Sequence, residues 1–99
     1  MRKRNWLVED NIVALYIALH HYKDLKYDID NIRELIPHKG FPMRIQNYKA
    51  IHTKGEKGLN AGLKSPLFNE LYDIFNGLER EKLAKLVNSI LKVKSKITI

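Results

Sequence analysis

Between Glu9 and Lys23 the apolar residues Ile12, Leu15, Tyr16, Leu19 and Tyr22 return every three or four positions, which marks one stripe of a helix. Glu9 and Asp10 fall in its first turn, where the positive end of the helix dipole favours acids. Asp28 is placed to cap a short second helix over Ile29–Ile36, and Pro37 ends it. The spacing predicts a third helix over Pro42–Ile51, with proline in a first turn where its missing N–H is not needed. Ser65-Pro66 is the clearest start signal in the chain, a capping serine followed by proline. It opens a fourth helix carrying Leu67, Leu71, Ile74 and Phe75, which stops at Gly77 in the manner of a C′ glycine. A fifth helix over Glu79–Lys92 presents Leu83, Leu86, Val87, Ile90 and Leu91, with Lys82, Lys85, Asn88 and Ser89 facing out.

The tail "KVKSKITI" alone offers an alternating pattern; Val93, Ile97 and Ile99 read as an edge strand or, better, as a frayed end over 93–99. The expected fold is therefore all-α, a compact bundle of about five helices. No repeat or linker divides it, so residues 1–99 form a single domain with a basic arm at 1–5. Each stripe alone is too short for a stable isolated helix, so the helices must bury these faces against one another.

The second and third helices, joined by the Gly40-containing turn over Pro37–Phe41, have the order of a helix-turn-helix corner. At 100° per residue, Ile45, Tyr48 and Ile51 fall on the core side of the third helix and Gln46, Lys49 and Ala50 lie opposite, with Met43 and Asn47 on the flank. Arg44 falls near the core side, where its stem can pack and its guanidinium can pair internally, or it can reach toward DNA.

Charge sharpens this picture. The net charge is +7, and between His38 and Ser65 six Lys/Arg (39, 44, 49, 54, 57 and 64) stand against Glu56 alone. Smaller clusters occur at Arg2–Arg4 and at Lys92, Lys94 and Lys96. A concentrated excess of this kind is the electrostatic footprint of a protein that meets a polyanion. The loop Thr53–Ser65 sets Gly55, Gly58 and Gly62 among lysines, so backbone N–H groups can approach a phosphate closely. It lacks the order of a Walker loop. The candidate DNA-contacting residues are Lys39, Arg44, Gln46, Asn47, Lys49, Lys54, Lys57, Asn60 and Lys64. Gln46 and Asn47 have the amides that read adenine, and the lysines suit guanine or phosphate.

No catalytic constellation emerges, and the expectation is a protein that is not an enzyme and needs no metal or cofactor. There is no cysteine. His38, Asn47 and His52 suggest an HNH nuclease set by composition only, since no β-hairpin is available to hold it. Asp24, Asp28, Asp30 and Glu34 are read as capping and solubilising the second helix rather than as a cation site. No signal peptide or membrane span is evident, so a cytoplasmic location is expected. Trp6 is expected to staple the N-terminus onto the bundle.

The order Trp6, Asp10, "ALYIAL", "YDIDNIRELI", "MRIQNYKAI", "KGLNAGLKS" and "LYDIF" resembles the small helical DNA-binding domain associated with McrA-like and other HNH-type restriction endonucleases. In that family a "V-x-M-R/K-x-x-N-F" helix precedes "G-L…S" and an aromatic-containing helix. Arg44 and Asn47 match the Arg/Lys and Asn of that helix, Tyr48 its aromatic, and Gly58, Leu59 and Ser65 the loop. The resemblance implies duplex DNA binding with a preference for modified cytosine, as a targeting module for a nuclease partner in a restriction system or phage defence. Two departures stand out: no nuclease segment is present, and "PHKGFP" is shorter than the family's Asn-Pro-containing loop. The alternative readings are a protein-interaction adaptor or small helix-turn-helix transcriptional regulator acting as a homodimer, and RNA binding.

Overall fold

A computed structural model describes residues 8–58 and 65–97. They form five helices: α1 (Val8–His20), α2 (Ile29–Leu35), α3 (Phe41–His52), α4 (Pro66–Phe75) and α5 (Arg80–Ile97). No strand occurs among the described residues. The expected all-α bundle is what the chain forms. The basic arm at 1–5, Trp6, Asn60, Gly62 and Lys64 lie outside the described residues.

α1 is the centre of the bundle. Its sequence "NIVALYIAL" is apolar around the whole circumference, and every residue from Asp10 to Ala18 is buried. The single stripe of the sequence reading therefore understates α1: Val13, Ala14, Ile17 and Ala18 are enclosed as fully as Leu15 and Tyr16. A helix apolar on all sides is one that neighbours cover on all sides. α3 lies along α1 for much of its length, α5 packs on another flank, and α4 covers α3. Leu83, Ala84, Val87 and Leu91 bring α5 into the same core as Phe41, Ile45, Tyr48 and Ile51 of α3.

α1 stops at His20 rather than Lys23. His21 adopts a left-handed backbone (φ 58°) after its N–H closes the last turn on Ile17 O, and Asp24 does the same at φ 62°. The Tyr16 hydroxyl donates to Lys23 O and pins this turn to the core. α2 begins at its expected cap, where Asp28 accepts from the Asn31 N–H at 2.8 Å. Ser65 likewise caps α4, accepting from the Phe68 N–H at 3.3 Å.

Two sequence expectations are corrected. The tail over 93–97 is helix and not strand: α5 runs on to Ile97, with Leu91 buried and Lys94 reaching inward to an acid of α1. Gly77 occupies C′ after the capping residue Asn76, but not in a left-handed conformation, so the end of α4 does not require glycine.

Candidate nucleic-acid interface

The α2–α3 corner spans Ile36–Gly40, and its two helices have different main partners: α2 rests on α5, and α3 on α1 and α4. The N-terminal half of α3 is its open part. Pro42 and Met43 are exposed, Met43 at 58%, and Gln46 and Asn47 are half-buried beside them. The Asn47 side-chain oxygen is enclosed and has no hydrogen-bond partner among the described residues.

The C-terminal half of α3 is covered by the chain that follows it. Thr53 N–H and Oγ1 both bond to Lys49 O, the latter at 2.8 Å. Lys54 turns left-handed (φ 55°), its N–H bonds to Ile51 O, and the Gly55 N–H reaches back to Ala50 O at 2.8 Å. These paired bonds make a Schellman motif, with lysine at the position glycine usually holds. Thr53 Oγ1 then accepts the Lys57 N–H at 2.9 Å, which folds the loop toward the helix. Gly58 completes the return: a Cβ there would stand 2.2 Å from Gln46 O, 2.9 Å from Ala50 N and 3.0 Å from Lys49 Cβ.

This contact corrects the helical-wheel reading of α3. Ala50, expected to face away from the core, is fully buried, and Gln46 and Lys49 are half-buried at the edge of the loop contact. The wheel set these residues opposite Ile45, Tyr48 and Ile51 but could not show that the chain folds back over Ala50. Lys39, Lys54 and Lys57 are exposed. Lys39 precedes α3 and Lys54 follows it, so at a rise of 1.5 Å per residue the helix separates them by about 18 Å. None of Lys39, Lys49, Lys54 and Lys57 forms an ion pair among the described residues.

Arg44 has an internal position. Its Nη1 donates to Asn11 Oδ1 at 2.8 Å, and its guanidinium carbon lies 4.9 Å above the Phe68 ring centre. Asn11 Oδ1 also accepts from the Tyr48 hydroxyl at 3.2 Å, so one buried amide joins α1 to two α3 side chains. Burial holds the Arg44 pKa below its ordinary value and pushes that of Tyr48 well up. The Tyr48 and Phe68 rings meet at 5.0 Å, and His52 Nδ1 lies 3.0 Å from the Tyr72 hydroxyl, so α4 is tied along α3.

The sequence reading treated Asp10 as a dipole partner and passed over Asn11. Both are only 2% exposed. The Asp10 carboxylate faces Lys94 Nζ of α5 at 2.6 Å and His38 Nε2 of the α2–α3 turn at 3.5 Å. Together Asp10 and Asn11 fix the N-terminus of α1 to α3, α5 and the turn before α3. Two adjacent polar residues entering an unbroken apolar run were the available signal, since such residues are buried with the run and must find partners. No group of three or more metal-ligating side chains is assembled among the described residues, and none of their helices is long and apolar enough to cross a membrane.

Compared with known protein families, curated proteins and solved structures, the chain matches none.

Proposed function

We propose that the protein binds duplex DNA, presenting the open N-terminal half of α3 to a groove and the lysines around it to phosphates. The observation that carries this reading is the arrangement of exposed Lys39, Lys54 and Lys57 about one helix, with no acid paired to any of them among the described residues. Recognition helices contact base edges with their N-terminal residues, and the major groove is about 12 Å wide. Lysines about 18 Å apart at the two ends of the helix suit the phosphates on either side of such a groove. Met43, Gln46 and Asn47 are then the base-reading candidates. Lys39, Lys49, Lys54 and Lys57 supply phosphate contacts, and Arg44 supports the helix from behind. In this role the protein does no chemistry itself; it targets a nuclease partner in a restriction or phage-defence system, with cytosine modification as the feature read.

The test is a gel-shift series on matched unmodified and cytosine-methylated duplexes with wild type, Gln46→Ala and Lys57→Gln. Lys57→Gln should weaken all duplexes alike, whereas Gln46→Ala should reduce discrimination between them. Equal affinity of all three proteins for every duplex would remove α3 from the interface. A second reading, homodimerisation, is favoured by Leu86 and Val93, two exposed apolar residues one heptad apart on α5. Sedimentation of Val93→Lys beside wild type separates it from the first.

A further inference from the structure

A second basic site lies where the α1–α2 loop meets α5. Lys26 and Tyr27 of the loop and Lys85, Asn88, Ser89 and Lys92 of α5 surround an open cleft of about 290 Å³. We propose that this cleft binds a phosphoryl group. Three of its six lining residues are lysines and none is an acid. Lys26, Lys85 and Lys92 form no ion pair among the described residues, so their charge is available to a ligand.

The lysines converge because of helical spacing on one wall and a side-chain clamp on the other. Lys85, Asn88, Ser89 and Lys92 are spaced at three and four residues, so they share one face of α5. Asn88 holds the opposite wall: its Oδ1 accepts the Lys26 N–H at 2.8 Å and its Nδ2 donates to Asp24 O at 3.1 Å. Arg80 Nε reaches Asp24 Oδ2 at 2.9 Å and Asp28 caps α2, so both carboxylates of the loop have partners of their own. Leu25 and Tyr27 pack on the core beneath, and α2 packs on α5 beyond. A cleft with both walls held fixes where the lysine stems emerge, so binding has only their side chains to order. Lysine ammoniums are compact charges on long stems that meet phosphates as point charges, and the Ser89 hydroxyl adds a neutral donor.

The shared chemistry is a phosphoryl oxyanion, available from a free phosphorylated small molecule or from a nucleic-acid backbone. The site does not depend on the α3 surface, so either can fail without the other. The experiment is an amide NMR titration of the whole chain with inorganic pyrophosphate, with sodium chloride of matched ionic strength as control. Saturable shifts confined to Lys26, Tyr27, Ser89 and Lys92 are expected. Lys85→Gln and Lys92→Gln should each weaken binding about 2- to 5-fold, as partly exposed charge pairs do. Lys49→Gln should leave it unchanged. Repeating the titration with ADP and with a short duplex distinguishes the sources: the one that displaces pyrophosphate from these amides is the one the cleft accepts. No saturable shift up to about 10 mM pyrophosphate, or shifts that Lys85→Gln and Lys92→Gln leave untouched, would overturn the proposal.

Discussion

Replacing Gly58 with alanine tests whether the loop after α3 is packed on that helix. The new Cβ would stand 2.2 Å from Gln46 O, a backbone atom that cannot swing aside, so the loop must retreat by about 1.2 Å to reach ordinary contact. Gly58 also has φ +82°, where a side chain costs about 1–2 kcal/mol in its own right. Retreat removes the cover from Ala50 and loosens the segment that Thr53 and Gly55 hold. The combined cost should be about 2–3 kcal/mol, or roughly 10–20 °C in Tm for a domain of this size. Urea denaturation gives the stability, and amide spectra of Gln46–Ile51 report the contact. Gly77→Ala is the matched control: nothing lies within 4 Å of its Cβ and its φ is not positive. That variant should be neutral or up to about 1 kcal/mol more stable, through a less flexible unfolded chain. If Gly58→Ala kept its stability to within about 0.5 kcal/mol and left those amides unshifted, the loop would not be seated on α3.

Three further predictions follow from the buried polar contacts. Asp10→Ala should cost about 3–5 kcal/mol by removing the buried carboxylate that Lys94 and His38 face, and Asp10→Leu with Lys94→Met should recover most of it in a double-mutant cycle. Asn11→Leu should cost about 2–4 kcal/mol in urea denaturation, since it leaves the Arg44 guanidinium and Tyr48 hydroxyl without their shared acceptor. Burial, then the positive charges of Arg80 and His52, hold the His20 pKa below its ordinary 6.5, with Asp24 opposing. The unfolded chain therefore takes up this proton first, and the stability given by neutral His20 is lost as pH falls below 6.5. His20→Asn should show a shallower loss of stability than wild type between about pH 7 and pH 5 in urea titrations.

The helices were legible because their signals are local. Asp28 and Ser65 cap α2 and α4 as their side chains allow, and the apolar spacing of "LAKLVNSIL" located α5. What was hidden depends on contacts distant in sequence. The sequence cannot show that α1 lies centrally until the other helices are placed around it, although its charge-free run from Asn11 to Leu19 is the trace of that position. The extension of α5 to Ile97 follows from Lys94 meeting Asp10, residues at opposite ends of the chain. For the site, the charge excess pointed to the surface around α3, and the helical wheel put Arg44 near the core. It could not assign Ala50, because the glycine that covers it belongs to a loop with no periodicity. The Lys26–Lys85–Lys92 cleft was equally invisible, since its walls are joined by Asn88 and Arg80, which lie more than fifty residues from their loop partners.

The most direct test of the account is the salt dependence of binding to a short duplex, followed by fluorescence anisotropy. With Lys39, Lys49, Lys54 and Lys57 as the phosphate contacts, log K should fall against log salt with a slope of about −3.6, an affinity loss of roughly 100-fold between 50 and 200 mM. Lys57→Gln should make that slope shallower by about 0.9. No binding at 50 mM salt, or binding that salt leaves unchanged, would contradict the assignment of this surface to DNA.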